Sequence, residues 1–412
     1  MLHMKKSNLM ISLIAGMLIF ALTSSAYAQD WPQWMGINRD GNVTGFKAPQ
    51  NWPKELKQEW KITVGLGDAS PVLVGTKLYS FSRQGTDEVV LCMDATSGKE
   101  LWQNKYAAVV VTGPSASAHQ GPRSTPTVAE GKIVTLGVGG VLSCLDASKG
   151  TVVWRKENSS NLFPAFYTAM SPIILEGMCI AHLGGKDNGT IVAFDLTTGN
   201  EKWKWSGDGP TYSSPALMTV EGKKQVVVFT EKNLVGLSLT DGKELWKVEA
   251  IPQNRFYNSA TPVINGQTVI VTGQGVGTKA FRIEKQGDGF LPKELWNNTE
   301  LGTKYNTPVI RDGFLYGLSN GRKFYCLDVA KGLTMWTDTT MNSDFGALIN
   351  CGSVIMSLPG NSNLIVFKPN EKAYTELMKI KVSDKPVFST PVVSGNRVFI
   401  KDAENLALYK LD

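Results

Sequence analysis

Asp195-Leu196-Thr197-Thr198-Gly199-Asn200-Glu201-Lys202-Trp203 is the stretch that decides the fold. Its Asp-x-x-x-Gly-x-x-x-Trp spacing returns at Asp94-Gly98-Trp102, Asp146-Gly150-Trp154 and Asp328-Gly332-Trp336. A hairpin accounts for the spacing. The Asp carboxylate caps the turn and the Gly supplies a positive-φ position. The Trp then falls at a fixed point on an outer strand, where it can pack between neighbouring units. A further unit keeps Gly242 and Trp246 with Ser238 in place of the Asp, and another carries an insertion and ends at Trp296.

Upstream of these turns stand Ser70-Pro71, Thr125-Pro126, Ser171-Pro172, Ser214-Pro215, Thr261-Pro262, Thr307-Pro308 and Thr390-Pro391. Proline suits the first residue of a strand, where its missing N–H costs no ladder bond. Alternating apolar residues follow each step, as half-buried strands require. With a degenerate opening at Phe345-Gly346-Ala347, the chain repeats about every 46 residues. Such a period without helix signals predicts an all-β fold: an eight-bladed propeller of four-stranded antiparallel blades. Seven blades is the competing count, if residues 345–380 are an elaboration. That unit has lost its Trp and should be the least regular. The chain stops at Asp412 where a closing turn is due, and residues 56–62, with Trp60, read as the missing outer strand. They are expected to complete the last blade and shut the ring, which removes open sheet edges.

Residues 1–28 read as a signal peptide: Lys5 and Lys6, an apolar run from Leu9 to Leu22, and the small-x-small step Ala26-Tyr27-Ala28. No retained transmembrane segment is expected, and the location is periplasmic or secreted. Residues 29–55 form a lead segment too short for its own core, expected to lie on the propeller surface. There Arg39 and Asp40 read as a structural pair in a turn. Trp31 and Trp34 either cover an apolar patch or form an exposed partner surface. Residues 56–412 are a single domain.

The 42 Lys and Arg against 36 Asp and Glu leave a net charge of +6, without a basic run that would track a nucleic-acid backbone. No nucleic-acid partner is expected. The 5 Cys are sparse and lack a Cys-x-x-Cys. Cys92, Cys144 and Cys326 occupy equivalent positions in different units and so cannot bridge one another. All read as buried thiols.

The repeats resemble the pyrroloquinoline-quinone-like propeller superfamily over nearly all of residues 56–412. The motif from Trp31 to Gly41, with Gly121-Pro122-Arg123-Ser124-Thr125-Pro126, looks like a set of secreted bacterial proteins. The resemblance implies two different uses of the ring. Quinoprotein dehydrogenases hold a quinone and a calcium ion in the central funnel, whereas BamB-like members serve as protein-binding scaffolds. The dehydrogenase hallmarks are poorly matched, because the chain lacks an adjacent Cys-Cys pair and a haem-attachment motif.

A site is expected at one mouth of the channel, where the loops entering the inner strands meet the loops joining second and third strands. The entering loops offer His119, Arg123, Tyr167, Tyr212, Arg255, Tyr257, Asn258, Lys304, Tyr305, Asn306 and Asp344. The second set adds Arg83, His182, Lys186, Asn188, Glu231 and Asn320. Tyr offers flat contact at low entropic cost and Arg a fixed donor fork. The group would suit a protein, a glycan or an anionic ligand. Alternatively the tyrosines brace neighbouring blades. His119 and His182 without a third close ligand are a weak metal signal, and no metal site is predicted. For acid–base chemistry the set would be His119, His182, Glu231 and Asp344. The expected function is a non-catalytic ligand-binding or protein-interaction propeller, a monomer without cofactor. The alternative is an oxidoreductase that uses pyrroloquinoline quinone and calcium on an alcohol or sugar.

Overall fold

The structure, a computed structural model, describes residues 29–113, 116–158, 160–250 and 257–411. The signal-peptide reading, and Arg255, fall outside these residues. Among the described residues, thirty-two strands form eight separate four-stranded antiparallel sheets. Seven are made of consecutive strands; blade 1, for example, runs Val72–Val74, Lys77–Gln84, Asp87–Asp94 and Glu100–Ala107. The eighth consists of Val392–Ser394, Arg397–Lys401 and Asn405–Lys410, with Lys57–Thr63 as its outer strand. The N-terminal strand therefore closes the ring.

One register recurs in every blade. The outer strand carries a bulge, and the residue beside it is Trp102, Trp154, Trp203, Trp246, Trp296, Trp336 or Trp60. In blade 7 Met378 takes the same place opposite Val366. That blade is a complete sheet with the bulge retained, so loss of the Trp leaves the strand pairing as regular as elsewhere. A buried thioether fills the gap. The blade-5 insertion lengthens its outer hairpin to strands Gly277–Gln286 and Gly289–Asn298.

The turn motif works as its chemistry demands. Asp146 Oδ1 accepts from the Ser148 N–H at 2.8 Å and the Lys149 N–H at 3.0 Å, while Gly150 sits at φ +72°. The glycine has a second duty. A Cβ on Gly150 would lie 2.3 Å from the Trp102 ring, and one on Gly242 2.4 Å from Trp203. Each ring thus lies flush on the turn of the following blade. Trp154, Trp203 and Trp296 also donate their indole N–H to a carbonyl of that blade, at Leu196, Leu239 and Val329.

The Ser/Thr of the Ser/Thr-Pro step forms a hydroxyl belt at the inner strands. Thr390 N–H donates to Ser70 Oγ (2.8 Å), Ser70 N–H to Thr125 Oγ1 (3.2 Å), Thr125 N–H to Ser171 Oγ (2.9 Å) and Ser171 N–H to Ser214 Oγ (3.0 Å). Thr261 N–H donates to Thr307 Oγ1 at 3.0 Å. The belt satisfies donors that the narrow centre of the ring would otherwise bury unpaired. All five cysteines are buried free thiols.

Only the second part of the lead segment rests on the propeller surface, with Phe46 and Trp52 packed half-buried against the ring. From Trp31 to Val43 it enters the bore from the face opposite the expected mouth. Trp31 exchanges two backbone hydrogen bonds with Leu73 of blade 1, Pro32 O accepts from Val128 N–H of blade 2, and Asn42 bridges Asn350 of blade 7. Trp31 is 0% exposed, so it is a core residue and not a docking surface. Trp34 donates its indole N–H to Thr261 Oγ1 at 2.9 Å. Arg39 is not paired with Asp40. Its Nε donates to Gln33 Oε1 (2.9 Å), and Nη1 to the carbonyls of Ser171 (3.2 Å) and Pro215 (3.0 Å). Nη2 reaches Pro172 O and Thr127 Oγ1. One guanidinium therefore pins the inner strands of blades 2, 3 and 4. Burial pushes its pKa down to about 9. Asp40 instead caps the turn that follows, accepting from the backbone and side-chain N–H of Asn42.

Candidate functional site: an aromatic collar over a plugged bore

Isolated bridges join Leu66 to Arg83, Pro210 to Thr230 and Thr303 to Ser319. These pairs tie the entering loops to the loops between second and third strands, and place both sets on one mouth. The position two residues before each Ser/Thr-Pro opening recurs around that mouth. It is filled by Asp68, Arg123, Ala169, Tyr212, Ser259, Tyr305 and Phe388, and Phe345 takes the same place before Ala347-Leu348 of the degenerate unit.

The aromatic members assemble into two arcs. In the first, the Tyr305 and Phe345 rings stack at 4.3 Å and 9°, and Phe388 meets Phe345 edge-on at 4.8 Å. His119 adds its ring to Phe388 at 4.8 Å and is held by Asp68, with Nδ1 2.6 Å from Oδ2. In the second, Phe166 and Tyr212 each meet Tyr257 edge-on, at 5.3 and 5.6 Å. Phe163 stacks on Tyr167 at 4.7 Å. Arg123 joins the arcs, donating to His119 O at 2.8 Å and to Phe166 O. Tyr257 and Tyr305 stay 43% and 42% exposed, which leaves flat apolar surface facing solvent. Such arrangements gain stability from ring edges meeting ring faces.

Other predicted residues take different places. Asn258 and Asn306 are buried braces: Asn258 Nδ2 donates to Thr230 O (3.0 Å), and Asn306 Nδ2 to Leu318 O (2.6 Å). Tyr167 is buried and accepts from Thr112 N–H at 2.8 Å. The cations are largely spent. Arg83 donates to Gly85 O and Val109 O, and Lys304 pairs with Asp344 at 2.7 Å. Arg322 approaches the same carboxylate at 3.7 Å. Glu231 accepts from the Asp187 N–H at 2.8 Å, beside exposed Lys186. The four residues named for acid–base work do not converge: His119 engages Asp68, Asp344 engages Lys304, and Glu231 engages the Asp187 backbone.

His182 stands apart from the collar, 2% exposed with Nε2 3.1 Å from Asp208 O. Burial pushes its pKa down from 6.5 to about 4, so the ring is neutral in the folded state. Between these values the unfolded chain binds a proton that the folded chain refuses. Stability is therefore complete above pH 6.5 and falls as the pH drops toward 4, by about 3 kcal/mol from this group. Chemical denaturation of wild type and His182→Gln between pH 4 and 7 checks this. The difference between the two should shrink steadily as the pH falls, and a pH-independent difference would contradict it.

Sequence reasoning missed Phe345, Phe388 and Asp68, although their shared offset from the repeat opening was available as a signal. It also missed Lys401, a 1%-exposed lysine that donates to Gly67 O and Asp402 O. Burial pushes its pKa down to about 8.

With this geometry in hand, the relatives can be placed. A family model described as outer membrane protein assembly factor BamB matches residues 42–338. The chain belongs to this family. BamB of Burkholderia pseudomallei is 24% identical over 84% of this chain and 85% of its own length. The crystal structure of BamB from Moraxella catarrhalis covers 86% of this chain and 98% of its own, with a TM-score of 0.66 at 13% identity. This BamB-family propeller is also 27% identical to subunit 1 of the methanol dehydrogenase of Methylorubrum extorquens, over 46% of this chain and 34% of that one.

The quinone that the superfamily resemblance implies does not fit the residues of the bore. Trp31, Met35 and Arg39 are buried within it. The space left beneath the collar, between Trp34, Met35, Tyr305, Phe345 and Phe388, is about 30 Å³. Small-molecule sites usually need about 300 Å³ or more. Among the described residues, no three His, Cys, Asp or Glu side chains gather where they could hold an ion. Nor is any helix among the described residues long and apolar enough to cross a membrane.

Proposed function

We propose that this chain is a non-catalytic periplasmic or secreted propeller whose collar-bearing mouth binds a protein partner. The observation that carries the reading is the pair of aromatic arcs, exposed at Tyr257 and Tyr305, above a bore that the chain's own lead segment fills. Aromatic side chains concentrate binding energy at protein interfaces, because they bury much area for few rotors. The mouth's ion pairs are already made internally, so the apolar rings carry the contact. Similarity to scaffold members of the family supports the same reading.

The test is quantitative capture of envelope proteins on the immobilised chain, beside the double variant Tyr257→Ala/Tyr305→Ala. A partner retained by wild type should lose about tenfold or more in affinity for the variant. Equal retention by both would remove the collar from the interaction. A quinone-dependent oxidoreductase is the second reading, favoured by the methanol dehydrogenase likeness. Calorimetric titration with pyrroloquinoline quinone, with and without calcium, separates the two. The scaffold reading expects no heat of binding in either case. One-to-one binding strengthened by calcium would overturn it.

A further inference from the structure

A second cavity lies apart from the aromatic collar. It is a cleft of about 460 Å³ between blades 2 and 3, and it arises from a mismatch of strand length. The strands of blade 2 beyond the innermost are short: Lys132–Leu136, Leu142–Asp146 and Val152–Lys156. Their counterparts in blade 3, Met178–Gly185, Asn188–Asp195 and Glu201–Gly207, are longer. The mouth-side half of blade 3 therefore rises above its neighbour. The described residues of the linker from blade 2 to blade 3 line this gap, where Asn158 Nδ2 donates to Gly139 O (2.8 Å) and Leu162 O (3.0 Å).

The walls divide by chemistry. Met170, Leu183 and Val192 give an apolar floor. Around it stand Thr190 and Ser206, whose hydroxyls make no hydrogen bond to protein among the described residues, and the amide of Asn188. Charge is balanced: Lys204 pairs with Glu201 at 3.2 Å, and the lining's other two charges are Lys156, whose ammonium lies 5.7 Å from the Phe194 ring, and Glu157. Two lysines against two glutamates leave the walls without net formal charge to draw in a strongly anionic or cationic ligand. An uncharged polyhydroxyl ligand can lay a C–H face on the floor and meet the rim with its hydroxyls. The volume lies within the range of small-molecule sites.

We propose that this interblade cleft is a second binding site, separate from the aromatic collar, that takes a neutral mono- or disaccharide. Saturation-transfer NMR on the whole chain tests it, with glucose, galactose, N-acetylglucosamine and their β-1,4-linked disaccharides as probes and glucuronic acid and glycine as charged comparators. At least one neutral sugar should bind saturably. Ser206→Trp, at an exposed rim position, should weaken it by about tenfold or more. Thr190→Val keeps the shape, removes one hydroxyl, and should cost about fivefold. Tyr257→Ala, in the collar, should weaken sugar binding by less than about twofold. The proposal fails if no neutral sugar binds, if binding survives both cleft variants, or if glucuronic acid or glycine binds more tightly there.

Discussion

Replacing Arg39 with methionine is expected to destabilise the protein more than any other single change in the lead segment, by about 3–5 kcal/mol. Methionine removes the desolvation cost of a buried cation, which favours the variant. The opposing effect is larger. The carbonyls of Ser171 and Pro215 lose their donor in a bore with no replacement, while Pro172 O keeps only the Thr127 hydroxyl, 2.6 Å away. Buried acceptors left unpaired cost about 1–3 kcal/mol each. Arg39→Lys keeps the charge but has three donors without the planar fork, so it should not restore stability. Thermal unfolding, with limited proteolysis of residues 29–56, is the check. Wild-type melting and wild-type resistance of the segment in Arg39→Met would show that the pin is dispensable.

The second large effect is expected where the outer-strand tryptophan meets the next blade. Trp203→Ala removes a ring that is 7% exposed, its bond to Leu239 O at 2.9 Å and its seat on Gly242. The loss should be about 3–5 kcal/mol, typical of an aromatic cavity. Gly242→Ala attacks the same contact from the other side. Its Cβ would sit 2.4 Å from the ring, at φ +71°. Because both changes break one contact, the double variant should lose clearly less than the sum of the singles. Additive losses in denaturant unfolding would mean that ring and turn contribute separately.

Blade number, ring closure and the turn chemistry were legible because they are local and repeated. A hairpin needs its Asp, Gly and Trp at set spacing, and each copy reinforces the others. Trp60 betrayed the closing strand by the same logic. The mouth was legible in outline only. Loop topology places residues on one face, but Tyr167, Asn258 and Asn306 turned inward as braces while Tyr257 and Tyr305 stayed in solvent. That choice depends on which loop packs beside which, and spacing carries no record of it. Phe345 counted only as part of a degenerate opening, and Phe388 carries no polar group of the kind that marked the other loop residues.

What the sequence by itself determined is an eight-bladed ring shut by its own N-terminal strand, because short-range hydrogen bonding and periodic burial dictate it. Only the tertiary structure decided that residues 31–43 fill the bore, that Arg39 serves three blades instead of pairing with Asp40, and that a cleft opens between blades 2 and 3. Each of these depends on groups far apart in the chain. Arg39 and Pro215 share a hydrogen bond across 176 positions, and no repeat, motif or periodicity encodes a contact made once.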